Sequence, residues 1–143
     1  MDFQTFNDVI KKVKTKKPSL FELEHDDIPE MENIINFQKQ HKIILPEKYI
    51  QFLLSFGGGY FGYANIYSLD KNSSFFIFNH NPAIIKNLLF IADNECGDYY
   101  AFRVQGDKCS EEIVFYDHED NTIKDTDFSD VLEYLVKIGL NQS

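Results

Sequence analysis

The stretch Leu45–Gly62 constrains this chain more than any other, because it carries a helix start, an apolar face and a stop in eighteen residues. Pro46 suits a first helical turn, where its missing N–H leaves nothing unpaired and its fixed φ is already helical. Glu47 favours the positive end of the helix dipole. Tyr49, Phe52, Leu53 and Phe56 recur at helical spacing and make one broad aromatic face. Gly57 can adopt the left-handed conformation that closes a helix, and Gly58 and Gly59 discourage its continuation. A face this aromatic must be covered, so the helix is expected at the centre of a core. Tyr60-Phe61-Gly62 should then lead into the first strand of a sheet.

The surrounding chain alternates in a way that fixes fold class. Asp2 is positioned to cap a first helix with apolar residues Phe3, Phe6, Ile10 and Val13, which Pro18 ends. Asp26 or Asp27 should cap a second helix, with Pro29 in its first turn and Met31, Ile34, Ile35 and Gln38 along its inner edge. Beyond the glycines the period changes to that of strands: Ala64–Leu69, Phe75–Phe78, Leu88–Ala92, Tyr99–Val104, Ile113–Tyr116 and a short strand from Ile123. Ala83–Asn87 is a helical turn or an irregular link. Asp127 or Ser129 should cap a last helix bearing Phe128, Val131, Leu132, Leu135, Val136 and Ile138, with Gly139 as its stop. Helices, then consecutive strands, then a helix, without βαβ alternation, predict an α+β fold. The expected sheet is an antiparallel meander of about five to six strands, with helices packed on one face. The 143 residues suit one domain, 1–143.

Charge narrows the partners. The formal net charge is −9, and it is unevenly placed. Residues 1–71 hold nine Lys and Arg against ten Asp and Glu, whereas residues 72–143 hold five against thirteen. Such a chain lacks the clustered cations that a phosphate backbone or an anionic membrane demands. It favours a basic protein as partner. The lysines at 11, 12, 14, 16 and 17 lack arginine and interleaved aromatics and read as a solvated helix face. Two cysteines without CxxC spacing give no disulfide framework or zinc motif. The start of the chain does not resemble a signal peptide and no run is long enough to cross a bilayer, so a cytoplasmic protein is expected.

Motifs for catalysis are weak. His25, His41, His80 and His118 form no His-x-x-x-His pair, and a meeting of His80 with Cys96 or Cys109 has no local support. Asp117–Asn121 alternates oxygen ligands, but an EF-hand counted from Asp117 would need glycine and glutamate where Thr122 and Phe128 stand. The glycines at 57–59 and 62 follow a helix instead of preceding one, the wrong direction for a phosphate loop. Neither a cofactor nor a metal is expected, and adjacent acids such as Glu111 and Glu112 read as solvated turn residues.

What does accumulate is acid at strand turns: Asp93, Glu95 and Asp98 at one, Asp107, Glu111 and Glu112 at the next, Asp117, Glu119 and Asp120 at the last. Alternate turns of a meander fall at one end of the sheet, so the first and last should join into one negative patch. Tyr60, Tyr63, Tyr67, Tyr99, Tyr100 and Tyr116 offer aromatic anchors beside it. The candidate partner-binding residues are Asp93, Glu95, Asp98, Tyr99, Glu111, Glu112, Asp117, Glu119 and Asp120.

Three stretches in order also resemble the SUKH superfamily, bacterial toxin-immunity proteins related to the yeast cell-wall assembly regulator. They are Leu45-Pro46-Glu47 opening a helix with Phe52-Leu53-Leu54 and a small-residue stop, the strand–turn–strand Phe90–Phe102, and the strand Glu112–His118. The resemblance spans about residues 28–138. It implies an immunity protein that binds and neutralises a cognate polymorphic toxin, often a nuclease with a basic substrate face, by noncatalytic stoichiometric occlusion. The alternatives are a regulatory protein-interaction scaffold like the eukaryotic members, or a small-molecule enzyme with a pocket lined by His80 or His118.

Overall fold

A computed structural model describes residues 1–82 and 84–142. Helix α1 (Phe3–Lys16) starts where the Asp2 carboxylate accepts the Thr5 N–H at 2.7 Å. A 3-10 turn at Pro18–Phe21 and an irregular run lead to α2 (Met31–His41), and α3 (Glu47–Phe56) follows. Six strands come next: β1 (Gly59–Phe61), β2 (Ala64–Ile66), β3 (Leu88–Asp93), β4 (Tyr99–Gln105), β5 (Lys108–Asp117) and β6 (Thr122–Asp125). They pair antiparallel in chain order, the expected meander. The chain closes with α4 (Val131–Tyr134), which widens into a π-helical turn at Leu135–Gly139.

The central helix sits where its aromatic face requires. Tyr49 and Phe52 are fully buried and Leu53 nearly so. Phe52 and Phe56 meet Phe6 of α1 and Phe61 of β1 in an aromatic cluster with centroids 5.2–6.3 Å apart. Tyr49 packs on Phe102 of β4 and donates to the Tyr67 carbonyl at 2.7 Å. Tyr134 of α4 packs on Tyr100, so α3 and α4 cover the same sheet face. On the opposite face, Phe90 stacks on Tyr99 and contacts Tyr116. Gly57 takes φ +70°, and a Cβ there would lie 2.5 Å from the Asp26 carbonyl, so both conformation and space demand glycine.

Several boundaries differ from expectation for local reasons. Helix α2 begins at Met31, capped by Glu30 in a capping box with Asn33, and not by Asp26 or Asp27. Its buried edge is Ile34 and Phe37, while Met31 and Ile35 are exposed. Pro46 is the N-cap residue of α3 and does not lie within its first turn. The strand expected at Ala64–Leu69 stops at Ile66, and Phe75–Phe78 is no strand: Ile77–Asn79 forms a 3-10 turn. There the chain is tied back by Ile77 N–H to the Ser68 carbonyl, and Asn81 takes the neighbouring-strand role instead. The Asn81 side chain donates to the Phe90 carbonyl at 2.9 Å and accepts its N–H at 2.8 Å, completing the edge of β3 with a side chain. Of the Ala83–Asn87 link, Ala83 lies outside the described residues. Asp130, not Asp127 or Ser129, caps α4 through the Glu133 N–H at 2.9 Å. Strand β5 starts at Lys108, so Glu111 and Glu112 lie inside a strand and not in a turn.

Candidate protein-interaction surface

Meander parity brings the β1–β2, β3–β4 and β5–β6 turns to one end of the sheet. The second and third of these touch. One Asp98 oxygen accepts the His118 backbone N–H at 3.1 Å and lies 2.6 Å from its Nδ1. Bonds from the His118 ring, the His118 backbone and the Asn94 amide hold Asp98 at a pKa of about 2. The same ring–carboxylate contact raises His118 above its ordinary value. Next to this clasp Lys124 Nζ lies 2.9 Å from Asp117, which lowers the carboxylate and raises the amine. Both acids stay ionised across the physiological range.

The acids of this end divide into those that brace and those that face solvent. Asp93 accepts from the Tyr67 hydroxyl at 2.6 Å, from Asn65 at 3.1 Å and from the Glu95 N–H at 2.9 Å. Glu95 is exposed and accepts from Tyr60 at 3.1 Å, a bond that raises the Tyr60 phenol. Glu119 is exposed, and Asp120 accepts from Thr122 and lies 4.0 Å from Lys124. Tyr99 is half-buried and stacked at 4.2 Å on Phe90, so it supports the surface more than it projects from it. Tyr63, at the β1–β2 turn of this same end, is 64% exposed. It is the exposed one among the tyrosines expected as aromatic anchors, and strand parity places its turn at the same end as the acids.

Glu111 and Glu112 do not join this patch. The β4–β5 turn lies at the opposite sheet end, and Glu111 accepts the Glu47 N–H at 3.1 Å, satisfying the N-terminus of α3. Glu112 is exposed on β5. Sequence reading also missed Asp130, whose carboxylate is 3% exposed and lies 2.7 Å from Lys48 Nζ and 2.8 Å from the Met1 amine. Burial opposes its ionisation, but the bonds from Lys48, the Met1 amine and the Glu133 N–H outweigh burial and lower its pKa.

His80 stacks flat on Tyr67 at 3.9 Å, and burial lowers its pKa. Cys109 is buried, with its thiol pushed up to about 12, while Cys96 is exposed. Ligand atoms of Asp98, Asp117 and His118 lie within 4.8 Å of one another, yet all three are engaged in the clasp and the Lys124 pair. A groove between α2 and residues 68–76 is lined by His41 and by neither His80 nor His118. No helix of the described residues is long and apolar enough to cross a membrane.

Comparison with known proteins agrees with the fold. No curated protein matches the chain. A crystal structure of a protein from Pseudomonas syringae pv. tomato superposes with a TM-score of 0.68 at 14% identity, covering 92% of this chain and 99% of that one. At that identity the likeness concerns the fold. The SUKH_6 family model, described as SMI1-KNR4 cell-wall, matches residues 31–132, from the start of α2 into α4. That span contains the central helix, the whole meander and both acidic turns, and the chain therefore belongs to the SUKH family.

Proposed function

We propose that this chain, folding as one domain over residues 1–143, is an immunity protein that binds a cognate polymorphic toxin and neutralises it by stoichiometric, noncatalytic occlusion. The observation carrying this reading is the joined acidic end. The two hairpin turns are clasped by Asp98 and His118, Glu95, Glu119 and Asp120 present carboxylates to solvent, and the same sheet end carries exposed Tyr63 in the β1–β2 turn. Preorganised charge around an aromatic anchor suits fast capture of a basic protein. A nuclease is the toxin this surface fits best, since its substrate face must attract phosphate, and the carboxylates would compete for that face. Such a protein works in the cytoplasm of the cell it protects.

Affinity capture of the tagged chain at low and high salt, followed by toxicity assays of what is recovered, tests the proposal. One dominant basic protein, released by salt and harmless when co-expressed with this chain, supports it. The family description names cell-wall proteins, which supports a second reading as a regulatory scaffold. Recovery of several non-toxic partners would favour that reading and refute immunity.

A further inference from the structure

A groove of about 670 Å³ runs between α2 and the segment 68–76, a volume typical of ligand clefts. Its floor is apolar, with Phe37, Leu53, Leu69 and Phe76. Its rims are not. Asn33, Asn36 and Gln40 fall at i, i+3 and i+7, on one face of α2, and Asn72 stands on the opposing segment. Asn33 is committed to the capping box. The side-chain amides of Asn36, Gln40 and Asn72 are exposed and make no hydrogen bond within the described residues. Asp26, Asp27 and Asp70 line the groove, and its basic side chains among the described residues are Lys71 and His41. Asp26 accepts from Ser73 with one oxygen at 2.7 Å, while its other oxygen is buried without a donor.

We propose that this groove binds an extended, cationic segment of a partner polypeptide. A helical ligand has already paired its backbone groups, whereas an extended segment carries N–H and C=O groups needing partners. A carboxamide offers both a donor and an acceptor, so free amides on two facing rims serve such a backbone whatever its sequence. The apolar floor takes alternate side chains, and the acids at the Asp26 side select an arginine or lysine. The groove draws on none of the residues of the acidic turn end, and the inference holds whether or not the partner is a toxin.

A phage-displayed library of random dodecapeptides, panned on the whole protein and counter-selected on the N36A/Q40A variant, tests this. Both positions are exposed, so the variant keeps its core. The expected outcome is enrichment of proline-poor sequences containing Arg or Lys. Synthetic versions should bind the N36A/Q40A protein at least tenfold more weakly, as two lost hydrogen bonds require. N-methylation of their central peptide bonds, or replacement of the basic residue by Gln, should each cost a similar factor. No sequence distinguishing the protein from its variant, enrichment of acidic sequences, or unchanged binding after N-methylation would overturn the proposal. The last result would mark a cleft that reads apolar shape alone.

Discussion

Asn81 offers the sharpest test of how this fold is held, because one buried side chain does a strand's work. It is 3% exposed, bonds both backbone groups of Phe90, and donates also to the Ile77 carbonyl at 2.8 Å. Asn81→Ala removes all three bonds and leaves the Phe90 N–H and C=O buried without a partner, while the Ile77 carbonyl keeps the His80 N–H. At about 1.5 kcal/mol for each of the two unmet groups the loss is about 3 kcal/mol. For a chain of this length that corresponds to a fall in Tm of about 10 °C. In urea, with a slope of about 1.5 kcal/mol/M, the midpoint should drop by about 2 M with the slope unchanged. Asn81→Asp separates the contributions. It keeps an acceptor for the Phe90 N–H but sets an oxygen against two carbonyls, so its carboxyl should titrate above the ordinary value near 3.9 when folded. Its protonated form can donate, so relative to Asn81→Ala this variant should gain stability below pH 4 and lose it as pH rises through the raised value. A loss under about 1 kcal/mol for Asn81→Ala, or no pH difference between the variants, would refute the claim that Asn81 replaces a strand.

Other consequences follow from the same geometry. Lys48→Met deprives buried Asp130 of one cation while leaving the Met1 amine and the Glu133 N–H, so the loss should be about 2 kcal/mol by chemical denaturation, below the cost of fully orphaning a buried charge. Because Asp130 is lowered in the fold, its contribution is present above the unfolded value near 3.9 and is lost as pH falls through the lowered one. The Asp98–His118 clasp has two limits: the His118 part is complete below about pH 6.5 and lost as pH rises through its raised pKa, and the Asp98 part fades as pH falls toward about 2. NMR titration of the His118 ring should therefore show a pKa that drops back toward the ordinary value in Asp98→Asn; an unmoved titration would contradict the clasp. A thiol reagent should label exposed Cys96 in the native protein and reach buried Cys109 only on unfolding. Equal labelling rates would contradict the packing of β5.

Where the sequence was legible, one local signal had one outcome. Proline, aromatic spacing and glycine at 46–57 led to a buried helix whose stop, Gly57, takes a positive φ with extended ψ and not the left-handed helical conformation expected, and the period change after Gly59 led to a meander. The acidic turns were legible through strand parity. Misreadings arose where a residue had several possible partners. Asp26 resembles a helix cap, but its carboxylate is taken by Ser73 across the loop, and Glu30 caps instead. Phe75–Phe78 resembles a strand because it is aromatic, but the cross-strand place on β3 is filled by the Asn81 side chain, a side-chain-to-backbone pairing that strand periodicity does not encode. Glu111 resembles a surface acid, yet it meets the α3 N-terminus, 64 residues away in sequence. The family match covers the acidic turns without assigning them a partner, so their role rests on charge and exposure.

The most direct test of the central claim is a neutralisation titration of the captured toxin with wild-type chain and with E95K/E119K/D120K, which leaves the Asp98–His118 clasp intact. Toxin activity should fall linearly to zero at one equivalent of wild type, and the reversed variant should need at least a tenfold excess, associating more slowly and with less dependence on salt. Neutralisation at far below one equivalent, or identical titrations for the two proteins, would contradict stoichiometric occlusion through the acidic end.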